Sequence, residues 1–321
     1  MLARIQQITT VLLIAAALVW FWVFWQAGKP GWAIAGCVAI LLGYSVTFAL
    51  ELVILGWVAK DDPAPRATWR EKVGAWWHES LQGPQIFCGR QPFRSHAVPD
   101  QCKPSQALRG QRGVVFVHGF VCNRGFWTPW LRRLKAGLPD ASGQLRQHAF
   151  VAISLEPVFG SIDDYAAQID QAVADVTEAS GLSPLLVCHS MGGLVVRAWL
   201  KAHSADARIF QVVTIGTPHR GTWLARFGHG ANSRQMRLHS PWAMALDGDM
   251  PPSRPGLFTC WYSNCDNIVM PPSTATLPGA KNRFHRGAAH VQLAFEPEVM
   301  NATLALLTPA VAFSPIPDTS A

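Results

Sequence analysis

The chain has 321 residues, a formal net charge of +7 and 50% hydrophobic residues, so it is too apolar for a disordered protein. Its basic residues are scattered rather than clustered, which argues against nucleic acid as a partner. Of the 27 basic and 20 acidic side chains, residues 1–60 carry only four. This imbalance indicates two dissimilar parts, a charge-poor N-terminal segment and a larger domain.

The N-terminal segment has the pattern of a membrane-spanning helical hairpin. Residues 5–28 contain no charged side chain, and about 20 apolar residues suffice for a helix to cross the hydrocarbon layer. A second uncharged stretch covers 30–50, and Gly28 and Pro30 supply a turn between the two stretches. We therefore predict two transmembrane helices within 1–60. A cleaved signal peptide, a single anchor and a buried hairpin of a soluble protein are the alternatives, although the apolar region of a signal peptide is usually shorter.

The charges that flank the hairpin predict its orientation. Both ends of a two-helix hairpin lie on one side of the membrane, and basic residues flank these ends: Arg4, Lys60, Arg66, Arg70 and Lys72. The connecting loop has only Lys29, so the positive-inside rule favours a multi-pass protein of a bacterial-type inner (cytoplasmic) membrane, with the larger domain in the cytoplasm. Glu51 is costly if it faces lipid, and we expect it near the second interface or against the first helix. An odd number of cysteines fits a reducing compartment, although four could pair in an oxidising one: Cys88, Cys102, Cys260 and Cys265.

Residues 61–108 form a predicted juxtamembrane connector between the hairpin and the larger domain. The segment contains several prolines and interleaves basic with aromatic residues. Two interpretations of 66–82 remain open. The segment lies on the bilayer surface, or it is a strand or helix packed on the larger domain.

From residue 109 onward, strand-like and helix-like segments alternate. Short apolar runs predict strands at 113–118, 149–155, 184–188, 209–215, 257–262 and 282–287. Helices are predicted at 126–138, 162–179, 191–203 and 295–307, and Ser161 and Gly181 suit the start and end of the second of these. Such alternation implies βαβ units and a mostly parallel sheet, whose functional sites lie beyond the carboxyl ends of the strands. We assign 109–308 to this α/β domain and 309–321 to a C-terminal tail.

The segment VCHSMGG (187–193) carries the strongest chemical signal in the chain. A buried strand runs directly into a helix with Ser190 at the turn, and small residues around the serine let the two elements approach closely. The pattern matches the G-x-S-x-G nucleophile elbow, except that Cys188 replaces the first glycine. We therefore predict that Ser190 is a nucleophile. A serine that only caps the helix is the alternative.

A serine nucleophile needs a base, an acid and donors for an oxyanion. His290 lies after the last predicted strand and before the last helix, and the chain order serine, acid, histidine favours it over its nearest competitor, His285. Asp266 follows the fifth predicted strand and is the candidate acid, although an Asx-turn would also suit it. The backbone N–H groups of Phe120, after the first strand, and of Met191, next to the serine, are the candidate oxyanion-hole donors.

These blocks together resemble the α/β-hydrolase superfamily, in particular bacterial triacylglycerol lipases and related esterases. Five blocks occur in the family's order: VVFVHGF (114–120), VCHSMGG (187–193), IGTPHRGT (215–222), CDNIVMPP (265–272) and GAAHVQL (287–293). The resemblance implies that Ser190 is the nucleophile, Asp266 the acid and His290 the base. It also implies that Phe120 and Met191 donate to the oxyanion. The first elbow position and the N-terminal hairpin depart from secreted lipases.

The predicted function is that of a membrane-anchored serine hydrolase that cleaves carboxylic esters through an acyl-enzyme intermediate. Its substrate would be a lipid or another acyl ester, and the bilayer would be its partner. A deacylase of lipid- or protein-linked acyl groups (phospholipid, glycolipid or thioester) and a noncatalytic membrane scaffold are the alternatives. Residues 223–256 are predicted to be a cap or lid, either mobile or static. No cofactor or metal is expected, since neither a glycine-rich phosphate-binding loop nor a His/Cys cluster of ligand spacing occurs. The oligomeric state is left open.

Overall fold

The structure is a computed structural model that describes residues 1–308, and the predicted tail, 309–321, lies outside the described residues. The N-terminal part is helical: α1 Leu2–Gln26, α2 Pro30–Leu42, α3 Tyr44–Val58, α4 Trp69–Pro84 and α5 Gln91–Phe93, with a π-helical turn Gln85–Arg90 between the last two. Within the described part of the chain, α1 is the one helix that is long and apolar enough to cross a membrane by itself. The pair α2 and α3 meets the same test only when the two are taken together.

The second predicted span is bent. Helices α2 and α3 meet at an angle of 54°, with Gly43 at the break, and glycine is a poor helix former. Helices α1 and α2 pack side by side in opposite directions, and the indole N–H of Trp20 donates to the carbonyl of Trp32 at 2.8 Å. The predicted turn between the first two stretches is therefore present, whereas a straight helix over 30–50 is not.

The N-terminal helices contact the α/β domain. The Oε2 of Glu51 in α3 accepts a 2.6 Å hydrogen bond from the Nδ2 of Asn267, so this carboxylate faces the α/β domain rather than the first helix. Helix α4 begins with a capping box formed by Thr68 and Glu71. It buries Ala75 and Glu79 against the domain and Gly83 against Phe48 of α3, and it leaves Trp69 and Trp77 exposed. The structure corresponds to the second interpretation of 66–82, in which this segment is a helix packed on the larger domain.

A parallel six-stranded sheet forms the centre of the α/β domain. The strands of the chain are β1 Val114–Val117, β2 Leu138–Pro139, β3 Leu145–Arg146, β4 Phe150–Ala152, β5 Leu185–His189, β6 Gln211–Ile215, β7 Phe258–Ser263 and β8 Lys281–His285. The large sheet has the order β4-β1-β5-β6-β7-β8 with every pair parallel, while β2 and β3 form a separate antiparallel ribbon. The predicted α/β-hydrolase fold, a mostly parallel sheet flanked by helices, is confirmed.

The sheet is buried on both faces, as parallel sheets usually are. Alternate side chains of β1 enter two different apolar layers: Val115 and Val117 pack with the helices Ala166–Ser180 and Met191–His203, and Val114 and Phe116 pack on the opposite side. The seven cysteines are all free thiols, including the four that the sequence left open for pairing: Cys88, Cys102, Cys260 and Cys265. The domain is therefore held together by its core rather than by disulfides.

The helices of the domain are α6 Thr128–Ala136, α7 Ala166–Ser180, α8 Met191–His203, α9 Ala231–Gln235, α10 Pro241–Gly248, α11 His290–Leu293 and α12 Pro297–Leu304. A 3-10 turn capped by Ser161 precedes α7, and Gly181 ends α7 with a left-handed φ of 77°, as the sequence predicts. The predicted final helix, 295–307, is present as the shorter α12, Pro297–Leu304. Pro297 starts it, because proline fits the first turn of a helix but not its interior.

Candidate active site

Ser190 lies at the sharp turn between β5 and α8. Its backbone has φ 54° and ψ −128°, a conformation that L-residues rarely adopt and that is held here by the elements on both sides. Gly192 allows the close approach that this turn requires, since a β-carbon there would lie 2.4 Å from the carbonyl oxygen of Val117. Cys188 is fully buried in the core, where burial raises the pKa of its thiol, and its backbone has no positive φ.

The segment that follows β1 lies beside the serine. The backbone N–H groups of Phe120 and Met191 make no hydrogen bond to an acceptor in the described part of the chain, so both are free to donate. His118 fixes this segment. Its Nε2 accepts the N–H of Leu155 at 2.9 Å, and its Nδ1 therefore donates to the carbonyl of Gly119 at 2.8 Å. Burial lowers the pKa of His118 to about 4, so the ring is neutral near pH 7.

Asp266 and His290 form a buried hydrogen-bonded pair. The Nδ1 of His290 lies 2.9 Å from one carboxylate oxygen of Asp266 and 3.0 Å from the other. The same carboxylate accepts the N–H groups of Ile268 and Val269 at 3.0 and 2.7 Å, so the Asx-turn and the histidine contact coexist. Because the carboxylate accepts from Nδ1, the neutral imidazole leaves Nε2 free to take a proton.

The electrostatics of His290 favour its charged form. Burial alone would lower the pKa of His290, but the Asp266 carboxylate, with help from Glu79 and Glu51, outweighs burial and raises that pKa. Gly216 makes room for the pair. A β-carbon there would lie 2.9 Å from Oδ2 of Asp266 and 3.1 Å from Nδ1 of His290, and its φ of 56° is also one that favours glycine.

Two further histidines are placed differently from His290. The Nδ1 of His285 donates to Glu298 at 2.9 Å rather than to Asp266, so the competitor for the base lies outside this pair. The ring of His189 stacks on Phe126, with ring centroids 4.5 Å apart, and its centroid is 4.6 Å from that of His290. Burial lowers the pKa of His189 well below its usual range, so it packs against His290 as a neutral ring.

The serine and the histidine are close in the fold but not hydrogen bonded. No hydrogen bond joins the Ser190 hydroxyl to the imidazole of His290, and both residues belong to the described part of the chain. They are linked through His189, which precedes the serine and whose Nε2 lies 3.2 Å from the carbonyl oxygen of His290. The structure thus brings the predicted acid and base into contact, and the predicted nucleophile follows directly after His189, whose ring lies against His290.

An apolar cavity of about 210 Å³ opens on Ser190. Its lining is mainly aliphatic and aromatic and includes Phe120, Leu224, Ala225, Met236, Ile268 and Val269. Three of these side chains come from the predicted cap segment, 223–256, which therefore forms part of the wall of this cavity. The mainly apolar lining with a few polar groups is typical of small-molecule sites.

Three side chains at this site lack any signal in the local sequence that relates them to His290. Glu79 and Asn267 hydrogen-bond the backbone around His290, and Glu51 hydrogen-bonds Asn267. Of the three, only Glu51 stands out in the sequence, as an acidic residue in an apolar stretch. That position alone does not predict that its partner is Asn267.

Comparisons with known proteins relate this architecture to others. A family model described as the alpha/beta hydrolase family matches residues 114–318. A comparison with curated proteins found no significant match. Among solved structures, the lipase BlEst2 of Bacillus licheniformis in its mature form has a TM-score of 0.53 and 18% identity, covering 65% of this chain and 96% of that chain. The propeptide form of the same lipase has a TM-score of 0.52 and 18% identity, covering 69% of this chain and 54% of that chain. Identities of this size show a common fold.

Proposed function

This chain belongs to the alpha/beta hydrolase family, and from that premise we propose that it is a serine hydrolase of carboxylic esters, of the lipase and esterase type. The observation that carries the proposal is the 2.9 Å contact between Asp266 and His290, next to a serine held in a strained turn. A buried carboxylate that fixes one imidazole nitrogen leaves the other available as a general base. Strained turns of this kind expose a serine hydroxyl at the end of a strand.

In the proposed reaction, His290 removes the Ser190 proton as the serine oxygen attacks the ester carbonyl. The Phe120 and Met191 N–H groups stabilise the oxyanion, and Asp266 stabilises the imidazolium. His290 then protonates the leaving alcohol, and a water molecule activated by the same base frees the acyl group. Catalytic hydrogen bonds often tighten only in the substrate complex, so the lack of a Ser190–His290 hydrogen bond among the described residues is compatible with this reaction.

The apolar cavity favours an acyl ester with an aliphatic chain as the substrate. Its lining offers little to hydrogen-bond a polar acyl group, so binding would rest on burial of apolar surface. Lipid esters fit this requirement. A deacylase of phospholipids, glycolipids or thioesters would use the same residues and remains the second candidate. Ester, phospholipid and thioester substrates of matched chain length, compared in detergent, separate the two candidates.

We further propose that the N-terminal helices anchor the protein in a membrane, with the hydrolase domain on the cytoplasmic side. The support is a large uncharged surface on α1, α2 and α3 that no other part of the described chain covers, including Leu18, Trp22, Val38, Val46 and Val53. Gln6 and Gln7 in α1 also hydrogen-bond residues 91 and 92, as expected for a helix retained in the folded protein rather than removed. In alkaline carbonate the protein should stay in the membrane pellet. An impermeant thiol reagent should label Cys88 and Cys102 only after permeabilisation, and labelling in intact cells would contradict the cytoplasmic orientation.

The test of the hydrolase is Ser190→Ala in the full-length protein. The variant should lose p-nitrophenyl ester turnover and fluorophosphonate labelling while its circular dichroism is unchanged. Ser253→Ala, an exposed serine remote from the cavity lining, is the matched control and should behave as the wild type. Retained labelling of Ser190→Ala would refute the assignment of the nucleophile. A wild type that is not labelled by the fluorophosphonate and hydrolyses none of the esters tested would favour the noncatalytic scaffold.

A further inference from the structure

Helix α4 places a buried carboxylate against the short helix that begins with His290. The Glu79 side chain is 2% exposed, and its two oxygens accept the backbone N–H groups of Val291 and Gln292, each at 3.0 Å. These N–H groups belong to the first turn of α11, where no acceptor within the helix exists. Glu79 therefore satisfies two donors directly after His290, from a helix more than 200 residues earlier in the chain.

The Glu79 carboxylate contributes more to this position than its volume. Burial raises the pKa of Glu79 to about 7, although the hydrogen bonds from Val291 and Gln292 and the charge of His290 act to lower it. An apolar side chain of similar volume would avoid the desolvation cost but would leave two buried N–H groups unpaired. The position therefore requires an acceptor with two oxygens, and the carboxylate also adds negative charge near the imidazole.

A second chain of hydrogen bonds holds the backbone of His290, the residue before Val291 and Gln292. The N–H of His290 donates to Oδ1 of Asn267 at 3.1 Å, and Nδ2 of Asn267 donates to Glu51 at 2.6 Å. The three consecutive N–H groups of residues 290–292 are thus fixed by side chains, and two carboxylates from α3 and α4 complete the arrangement. Both carboxylates precede residue 114, where the match to the family begins.

We infer that Glu79 is a positioning residue for His290, acting through the backbone of α11, and that the N-terminal helices thereby complete a site that residues 114–308 do not complete alone. This inference rests on the proposed function of His290 as the general base. The direction of its ring depends on where residues 290–292 lie, and small displacements of a catalytic group carry large rate penalties.

The inference predicts a change in the pH dependence as well as in the rate. The ionisable groups that face His290 are Asp266, Glu79, Glu51 and the neutral His189. Glu79 is among the negative charges that raise the pKa of His290, so its removal should lower that pKa. The acid limb of kcat/KM should then move to lower pH.

The test compares Glu79→Gln, Glu79→Asp and Glu178→Gln in the full-length protein in detergent. Glu178 is an exposed carboxylate on α7 and serves as the control. Glu79→Gln should lower kcat about 10- to 100-fold with little change in KM for a short-chain p-nitrophenyl ester, and should move the acid limb to lower pH. Glu79→Asp should also lower kcat but leave the acid limb in place, because it keeps the charge and loses the reach. The control should match the wild type.

Hydrogen–deuterium exchange gives a readout that does not depend on ester hydrolysis. In Glu79→Gln the amides of a peptide covering 288–293 should exchange faster, while those of 185–189 in β5 keep their protection. Unchanged exchange at 288–293 in Glu79→Gln would overturn the inference. A variant with lower kcat, an unmoved acid limb and faster exchange throughout the sheet would also overturn it, because such a variant is destabilised as a whole. If Glu79→Gln does not fold, Glu79→Asp decides by the same exchange measurement. A wild type that neither hydrolyses esters nor is labelled would refute the proposed function, and the exchange data would still decide whether Glu79 holds this segment.

Discussion

Gly119 and Ser190 lie so close that a β-carbon on Gly119 would come within 2.7 Å of the β-carbon of the serine. Real β-carbons essentially never approach so closely, so the end of β1 and the nucleophile turn are in contact without space between them. This contact sets the position of the N–H of Phe120, the next residue in the chain. Because residue 119 is a glycine and has no β-carbon, the proposed oxyanion donor Phe120 can lie this close to the serine.

Replacing Gly119 with alanine should separate these two segments. The added methyl group forces residues 118–121 away from Ser190, and loss of one oxyanion donor typically lowers kcat about 100-fold. Overpacking should also cost about 1–3 kcal/mol of stability. Steady-state kinetics and thermal unfolding measure the two effects. Gly256→Ala, where a β-carbon meets no atom within 4 Å, is the control. Wild-type kcat in Gly119→Ala would contradict the role of this segment.

Replacing Asp266 with asparagine separates the two functions of this residue. The amide oxygen can still accept from Ile268 and Val269, so the loop should keep its shape. The amide N–H₂ group, however, now faces Nδ1 of His290 and favours the wrong tautomer. We expect kcat to fall about 10³- to 10⁴-fold with little loss of stability. A fall in kcat below about tenfold would show that the carboxylate acts mainly as a turn residue.

The parts of the fold and site that the sequence predicts are those with a local signal. The strand before Ser190 and the helix after it are visible as an apolar run followed by small residues, and Asp266 and His290 each follow a predicted strand. Parallel strands bring their carboxyl ends to one edge, so these positions converge without knowledge of any contact. The start of the final helix also has a local signal, because proline at position 297 fits the first turn of a helix but not its interior.

The remaining features depend on contacts between distant segments. Glu79 lies 212 residues from Val291, and nothing in the composition of α4 distinguishes it from a solvent-facing glutamate. The partner of Glu51 is Asn267, 216 residues later, and a polar residue in an apolar stretch does not identify what it contacts. Beyond the 54° bend at Gly43, Leu52 and Leu55 of α3 share an apolar cluster with Cys265 of the α/β domain, a contact that the weak helix propensity of glycine does not predict.

Acid should destabilise the protein partly through His118. Its pKa is about 4 in the folded protein against an ordinary value of 6.5, so the unfolded chain binds a proton in this interval and the folded chain does not. The stability present above pH 6.5 is therefore lost as the pH falls towards 4, by about 1.4 kcal/mol per pH unit and about 3 kcal/mol in total. Denaturant unfolding of wild type and His118→Gln between pH 7 and 4 measures the difference. Equal pH dependence in the two proteins would contradict a buried neutral His118.

Cys188 tests whether the elbow requires glycine at its first position. The residue lies in β5 without a positive φ, and its side chain fills space in the core layer beneath α8, so the backbone makes no demand that only glycine meets. Cys188→Gly should therefore destabilise the protein by about 1–3 kcal/mol, through the cavity left by the thiol and the flexibility of glycine in a strand. Cys188→Ala should cost less, because it keeps the β-carbon, and neither variant should raise kcat. Thermal unfolding and ester kinetics on the two variants decide the matter: a more stable or faster Cys188→Gly would mean that the cysteine strains the turn at Ser190.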